Sequence, residues 1–86
     1  MQPDIVMTVR NDGWIKGTVQ GFSFIALVFS EQSEYGINQG RVSKLFMEKA
    51  NQRVLVYDRK WDIEPTEQES ITAFNKLLSG LEALPE

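Results

Sequence analysis

The chain has 86 residues, 42% of them apolar and 24% charged, a net charge of −3, and neither cysteine nor histidine. That composition leaves room for one core only. It excludes disulfide staples, thiolate zinc sites, cysteine nucleophiles and every serine–histidine arrangement.

The acidic balance also weighs against nucleic acid as a partner, because phosphate backbones need a clustered basic face. The opening MQPDIVMTVR has no basic region followed by an apolar core, so it does not read as a signal peptide. The longest unbroken apolar run, Ile25 to Phe29, is far short of a membrane span. A cytoplasmic protein without a membrane partner is the expectation.

Residues 5–10, IVMTVR, alternate loosely and are rich in β-branched types, which predicts a strand. Asn11-Asp12-Gly13 supplies a tight turn, since all three tolerate positive φ. A second strand is expected over 14–20, where Gly17 marks a bulge or a close backbone approach. Gln20-Gly21 then turns directly into a third strand, 22–30. Phe22, Phe24, Ala26 and Val28 point one way along it; Ile25, Leu27 and Phe29 point the other, with Ser23. Apolar on both faces, it reads as a central strand.

Residues 31–40, EQSEYGINQG, read as a loop. Two further strands, 41–49 and 53–59, flank a short Ala50-Asn51-Gln52 connection, but their alternation is too imperfect to set a register. The last element is a helix over 66–84. Thr66 and Glu69 have the spacing of a capping box, and Ile71, Phe74, Leu77, Leu78, Leu81 and Leu84 form one apolar stripe. The fold expected is α+β: a single domain, 1–86, with an antiparallel sheet of four to five strands and one C-terminal amphipathic helix packed on one face.

Two stretches are dense in functional side chains. In YDRKWD, 57–62, Asp58 and Asp62 have the chemistry of an acid–base or metal pair, with Arg59 placed to steer an anion. The plainer reading, which we favour, has Tyr57 and Trp61 covering a sheet edge and Asp58 paired with a nearby arginine or a backbone amide. In EYGINQGR, 34–41, Gly36, Gly40 and Arg41 offer a backbone nest for an anion. No phosphate-loop lysine follows, however, so the glycines are expected at positive φ, shaping the loop. Both stretches border the last two predicted strands. They should therefore meet, with Arg41 or Arg59 pairing Glu34, Asp58 or Asp62.

The order of Ser33-Glu34-Tyr35-Gly36-Ile37-Asn38, Gly40-Arg41-Val42-Ser43-Lys44-Leu45, Tyr57-Asp58-Arg59 and Trp61-Asp62 resembles a family of small proteins of unassigned function. That family occurs mainly in prophages and mobile elements of Gram-positive bacteria. The match runs from Gly13 to about Phe74, with Lys60 standing where the family pattern has glycine. The resemblance implies a prophage-type accessory protein and carries over no catalytic residue.

The functional expectation is a protein-interaction module, not an enzyme, with no cofactor and no bound metal. Its candidate interaction surface is Glu34, Tyr35, Arg41, Asp58, Arg59, Trp61 and Asp62, offered to a host or phage protein. The alternative is a small metal-dependent hydrolase or nuclease using Asp58, Asp62 and Glu34. One further expectation follows from the third strand. A single helix covers one sheet face, so the other needs the N-terminal segment, a curled sheet or a second copy of the chain to close it.

Overall fold

The computed structural model describes residues 5–10 and 12–85. Six strands form one antiparallel sheet in chain order: β1 (Ile5–Val9), β2 (Trp14–Val19), β3 (Phe22–Val28), β4 (Val42–Lys49), β5 (Gln52–Asp58) and β6 (Trp61–Ile63). One helix, α1 (Gln68–Glu82), follows them. The expected α+β class holds, but the sheet has six strands instead of four or five. The extra strand comes out of YDRKWD, where Arg59 at φ 64 makes the turn and Trp61 pairs with Tyr57.

The hairpins are tight because their turn residues accept left-handed backbone. Gln20 and Gly21 (φ 48 and 85) join β2 to β3, and Ala50 and Asn51 (φ 53 and 63) join β4 to β5. Gly13 at φ 89 closes the first hairpin, where Asp12 accepts a hydrogen bond from the Trp14 amide at 3.1 Å. Asn11 of that turn lies outside the described residues. Gly17 is needed for space, as expected: a Cβ there would run into the Val6 carbonyl of the neighbouring strand.

Three register shifts break the ladder, each with one extra residue: Ser43 on β4, Val54 on β5 and Asp62 on β6. They explain why residues 41–59 do not alternate cleanly, since each bulge moves later side chains to the opposite face.

The core lies between one face of the sheet and α1. Ile15, Ala26, Leu45 and Tyr57 form a cross-strand row on that face, and Phe24, Met47 and Leu55 form the next. All seven are buried. From the helix, Leu77 and Leu81 are fully buried, and so is Ala73. Each buried leucine contributes roughly 1.5–3 kcal/mol of transfer free energy. Ile71, Phe74, Leu78 and Leu84 flank this contact half-buried, so the predicted stripe is right in direction. Its deepest line also uses the small residues Ser70 and Ala73, which let the helix sit close to the sheet.

The predicted capping box does not form. The N-cap is Glu67, with no side-chain cap hydrogen bond, so Thr66 and Glu69 are each one position out of register for a reciprocal cap. The first turn is held instead by Ser70 Oγ donating to the Glu67 carbonyl at 2.8 Å.

Candidate functional site

The 31–40 loop and the β5–β6 hairpin meet. The Tyr57 hydroxyl donates to the Tyr35 carbonyl at 2.8 Å, and the Arg59 guanidinium lies 5.9 Å from the centre of the Tyr35 ring. The expected arginine–carboxylate pairs are not what joins them. Asp58 pairs with Lys44 across β4 and β5 at 3.6 Å, while Arg59 faces an aromatic ring. Arg41 gives its side-chain donors to carbonyls, Nε to Phe29 at 2.8 Å and Nη1 to Leu84 at 2.6 Å.

An anion does sit on the backbone beside Gly40, and the chain supplies it. The Glu82 carboxylate accepts from the Arg41 amide at 2.8 and 3.1 Å and from the Val42 amide at 3.3 Å. This ties the end of α1 to the start of β4. Gly40 is required because a Cβ would strike that carboxylate, and Gly36 because a Cβ would strike the Gly40 carbonyl. Their φ values, −99 and −76, are ordinary. The positive-φ residues of the loop are Asn38 (54) and Gln39 (60), a correction to the expectation for the glycines. Close approach, not handedness, selects glycine here.

Of the seven residues singled out by sequence, two are therefore part of the framework. Arg41 belongs to the clamp, and Trp61 packs edge-on to Tyr57 and Phe74, with centroids at 5.0 and 5.5 Å. The other five, Glu34, Tyr35, Asp58, Arg59 and Asp62, face solvent, with Tyr35 54% exposed. Glu34, Asp58 and Asp62 do not converge: among the described residues no group of three acidic side chains is placed to hold a metal ion.

A second region was only partly legible in the sequence. On the sheet face away from α1, Ile25, Phe46, Val56 and Ile63 stand side by side in one cross-strand row. Trp14 and Leu27 stand in the row beside it. Ile25 is 36% and Ile63 42% exposed, whereas Val56 is buried between its neighbours. Charged side chains rim the rows. Lys16 lies at the β2 end, Lys44 and Asp58 along one side, Glu48 and Arg53 along the other, and the Arg53 guanidinium is 5.6 Å from the Phe46 ring centre. An open depression of about 440 Å³ lies over Trp14, Lys16, Ile25, Phe46, Glu48 and Arg53.

The N-terminal IVMTV does not cover this face, because it pairs edgewise as β1. The sheet stays open, with β1 and β6 at its edges. Phe29 is not part of the row; beyond the end of β3 it borders a separate hollow with Val9, Leu84 and Pro85. The bulge at Ser43 hid the facing of Phe46, and the bulge at Val54 hid that of Arg53. Trp14 was readable from the Trp14-Lys16-Thr18 alternation opposite the buried Ile15 and Val19.

Fold and surface together define a small α+β domain with one helix-covered sheet face and one open, apolar, charge-rimmed face. Residues 13–82 match the family described as Domain of unknown function (DUF7678), and the chain belongs to that family. No curated protein and no solved structure matches the chain. Among the described residues no helix is long and apolar enough to cross a membrane.

Proposed function

We propose that this is a small prophage-type accessory protein that works in the cytoplasm as a protein-interaction module and is not an enzyme. The observation that carries the reading is the apolar row Ile25–Phe46–Val56–Ile63, flanked by Trp14 and Leu27, on a face that no described element covers. A contiguous apolar patch rimmed by charge is the usual form of a protein contact surface. The prophage setting rests on the resemblance of the SEYGIN, GRVSKL and YDR-x-WD segments.

The loop side offers a second surface, made by Tyr35, Arg59, Glu34, Asp58 and Asp62. Tyrosine and arginine are among the residue types enriched where interface energy concentrates, and Arg59 already holds the Tyr35 ring from one side. A host or phage protein is the partner class proposed for it.

A photo-crosslinking residue at position 25, in cells making the protein, tests the contact reading. The expected result is a discrete protein adduct that is absent when the probe sits at exposed Thr72 on the helix. No discrete adduct from position 25 would overturn the reading, whatever the identity of the captured chain.

A further inference from the structure

We infer that the occupant of the open face is a second copy of this chain, docked about a twofold axis running across the strands along the Ile25–Phe46–Val56–Ile63 row. This rests on the contact reading above and adds the partner and its register.

The charge pattern and the overlap of the two faces select both. On β4, Lys44 and Glu48 stand two residues to either side of Phe46, so all three share the open face and each charge lies about 7 Å from Phe46 along the strand. On β5, Asp58 and Arg53 flank Val56 in the same way, because the extra residue Val54 returns Arg53 to the open face beside Glu48. Each side of the apolar row therefore carries one cation and one anion, and along each strand the sign reverses from one side to the other.

A twofold axis across the strands exchanges the two sides. Lys44 then meets Glu48 of the second copy, and Asp58 meets Arg53 of the second copy, while Phe46 and Val56 meet their own counterparts. A twofold axis along the strands would put β3 on β4 and β2 on β5. Lys44 would then lie against Leu27 and Asp58 against Trp14, so the Lys44–Asp58 pair would be desolvated on hydrocarbon with no opposite charge from the second copy. Moved to lie between β4 and β5, that axis would set Lys44 on Asp58 and Glu48 on Arg53 of the second copy, but β1 and β2, with Trp14, would fall outside the overlap. Only the axis across the strands both pairs the charges and covers the whole face. Face-packed sheets keep their strands within about 30° of each other, an offset that lysine and arginine side chains span easily. Lys16, at the outer end of the row, is exposed and long enough to turn its ammonium away from its symmetry mate.

The shape fits as well. The molecule is a slab with extents of 31 × 31 × 18 Å. Its broad face is on the scale of the ~800 Å² per partner that a standard stable interface buries. An interface formed by the same patch on both chains needs that patch to be complementary to itself. The alternation of sign about the apolar row supplies this.

The test uses two single variants, Lys44→Glu and Glu48→Lys, each first shown by thermal unfolding to be folded. Alone, each places two like-charge pairs across the twofold, so its self-association should weaken by about tenfold or more relative to wild type. Mixed, the two variants restore both pairs, and a heterodimer should form within about threefold of the wild-type dissociation constant. Contacts within each chain are unchanged by mixing, so recovery reports the intermolecular pairs alone. Should either variant not fold, Arg53→Asp and Asp58→Arg carry the same test. A wild-type chain that stays monomeric at high concentration overturns the dimer while leaving a heterologous contact at position 25 intact. A dimer that weakens in neither single variant, or that mixing does not restore, overturns this twofold.

Discussion

Neighbouring residues of β3 have opposite surroundings. Phe22, Phe24, Ala26 and Val28 are buried beneath α1, whereas Ser23 and Ile25 between them are exposed and Leu27 is half-exposed. Ile25 and Leu27 are as apolar as their buried neighbours, so hydrophobicity alone does not separate the two sides. The helix does: it closes one face, and that face contributes most of the transfer free energy of folding a single chain. The apolar area of the other face remains available for association. A strand that is greasy on both sides in a sheet with one helix thus points to a contact surface as well as to a core.

Substitutions on the two faces should differ most in what they disturb. Leu77→Ala, at a fully buried helix position, should cost about 2–5 kcal/mol of folding free energy by transfer loss and cavity formation. Urea unfolding reads this directly. Ile25→Ala, on the open face, should cost less than about 1 kcal/mol when unfolding is measured in dilute solution. Equal costs at the two positions would mean that the open face is part of the folding core.

The clamp between helix and loop provides the next test. Glu82→Ala removes the acceptor for the Arg41 and Val42 amides, which are part-buried, and should cost about 1–3 kcal/mol. Hydrogen exchange of those two amides should speed up more than that of the β2–β3 ladder. Unchanged protection at Arg41 and Val42 would show that the carboxylate is not what holds the loop. The smallest effect is expected at the helix start. Thr66→Ala should stay within about 0.5 kcal/mol of wild type, because Thr66 precedes a cap that makes no side-chain hydrogen bond.

The sequence was most legible where a single periodic rule held. The two-sided character of β3, the close approach at Gly17, the Gln20-Gly21 turn and the leucine stripe of α1 follow from alternation, glycine sterics and helical spacing. Legibility failed where one residue was inserted. Ser43, Val54 and Asp62 each shift the register, which hid the facing of Phe46 and Arg53 and disguised a short sixth strand as a polar loop end.

The surface proposed from sequence mixed two kinds of residue for a related reason. Arg41 and Trp61 look like contact residues by type, yet their partners, Glu82 and Phe74, are 41 and 13 positions away and lie on the helix. No local pattern announces such pairs. The anion nest beside Gly40 was legible as chemistry, but its ligand, a carboxylate from the far end of the same chain, was not.

The claim that the two faces divide folding from association is tested most directly by sedimentation equilibrium of wild type and Ile25→Asp over the same wide concentration range. Wild type should rise from the mass of one chain to that of two. Ile25→Asp should remain at the single-chain mass throughout and, in dilute solution, unfold within about 1 kcal/mol of wild type. Identical mass curves for the two proteins, whether both single-chain or both dimeric, would contradict the account.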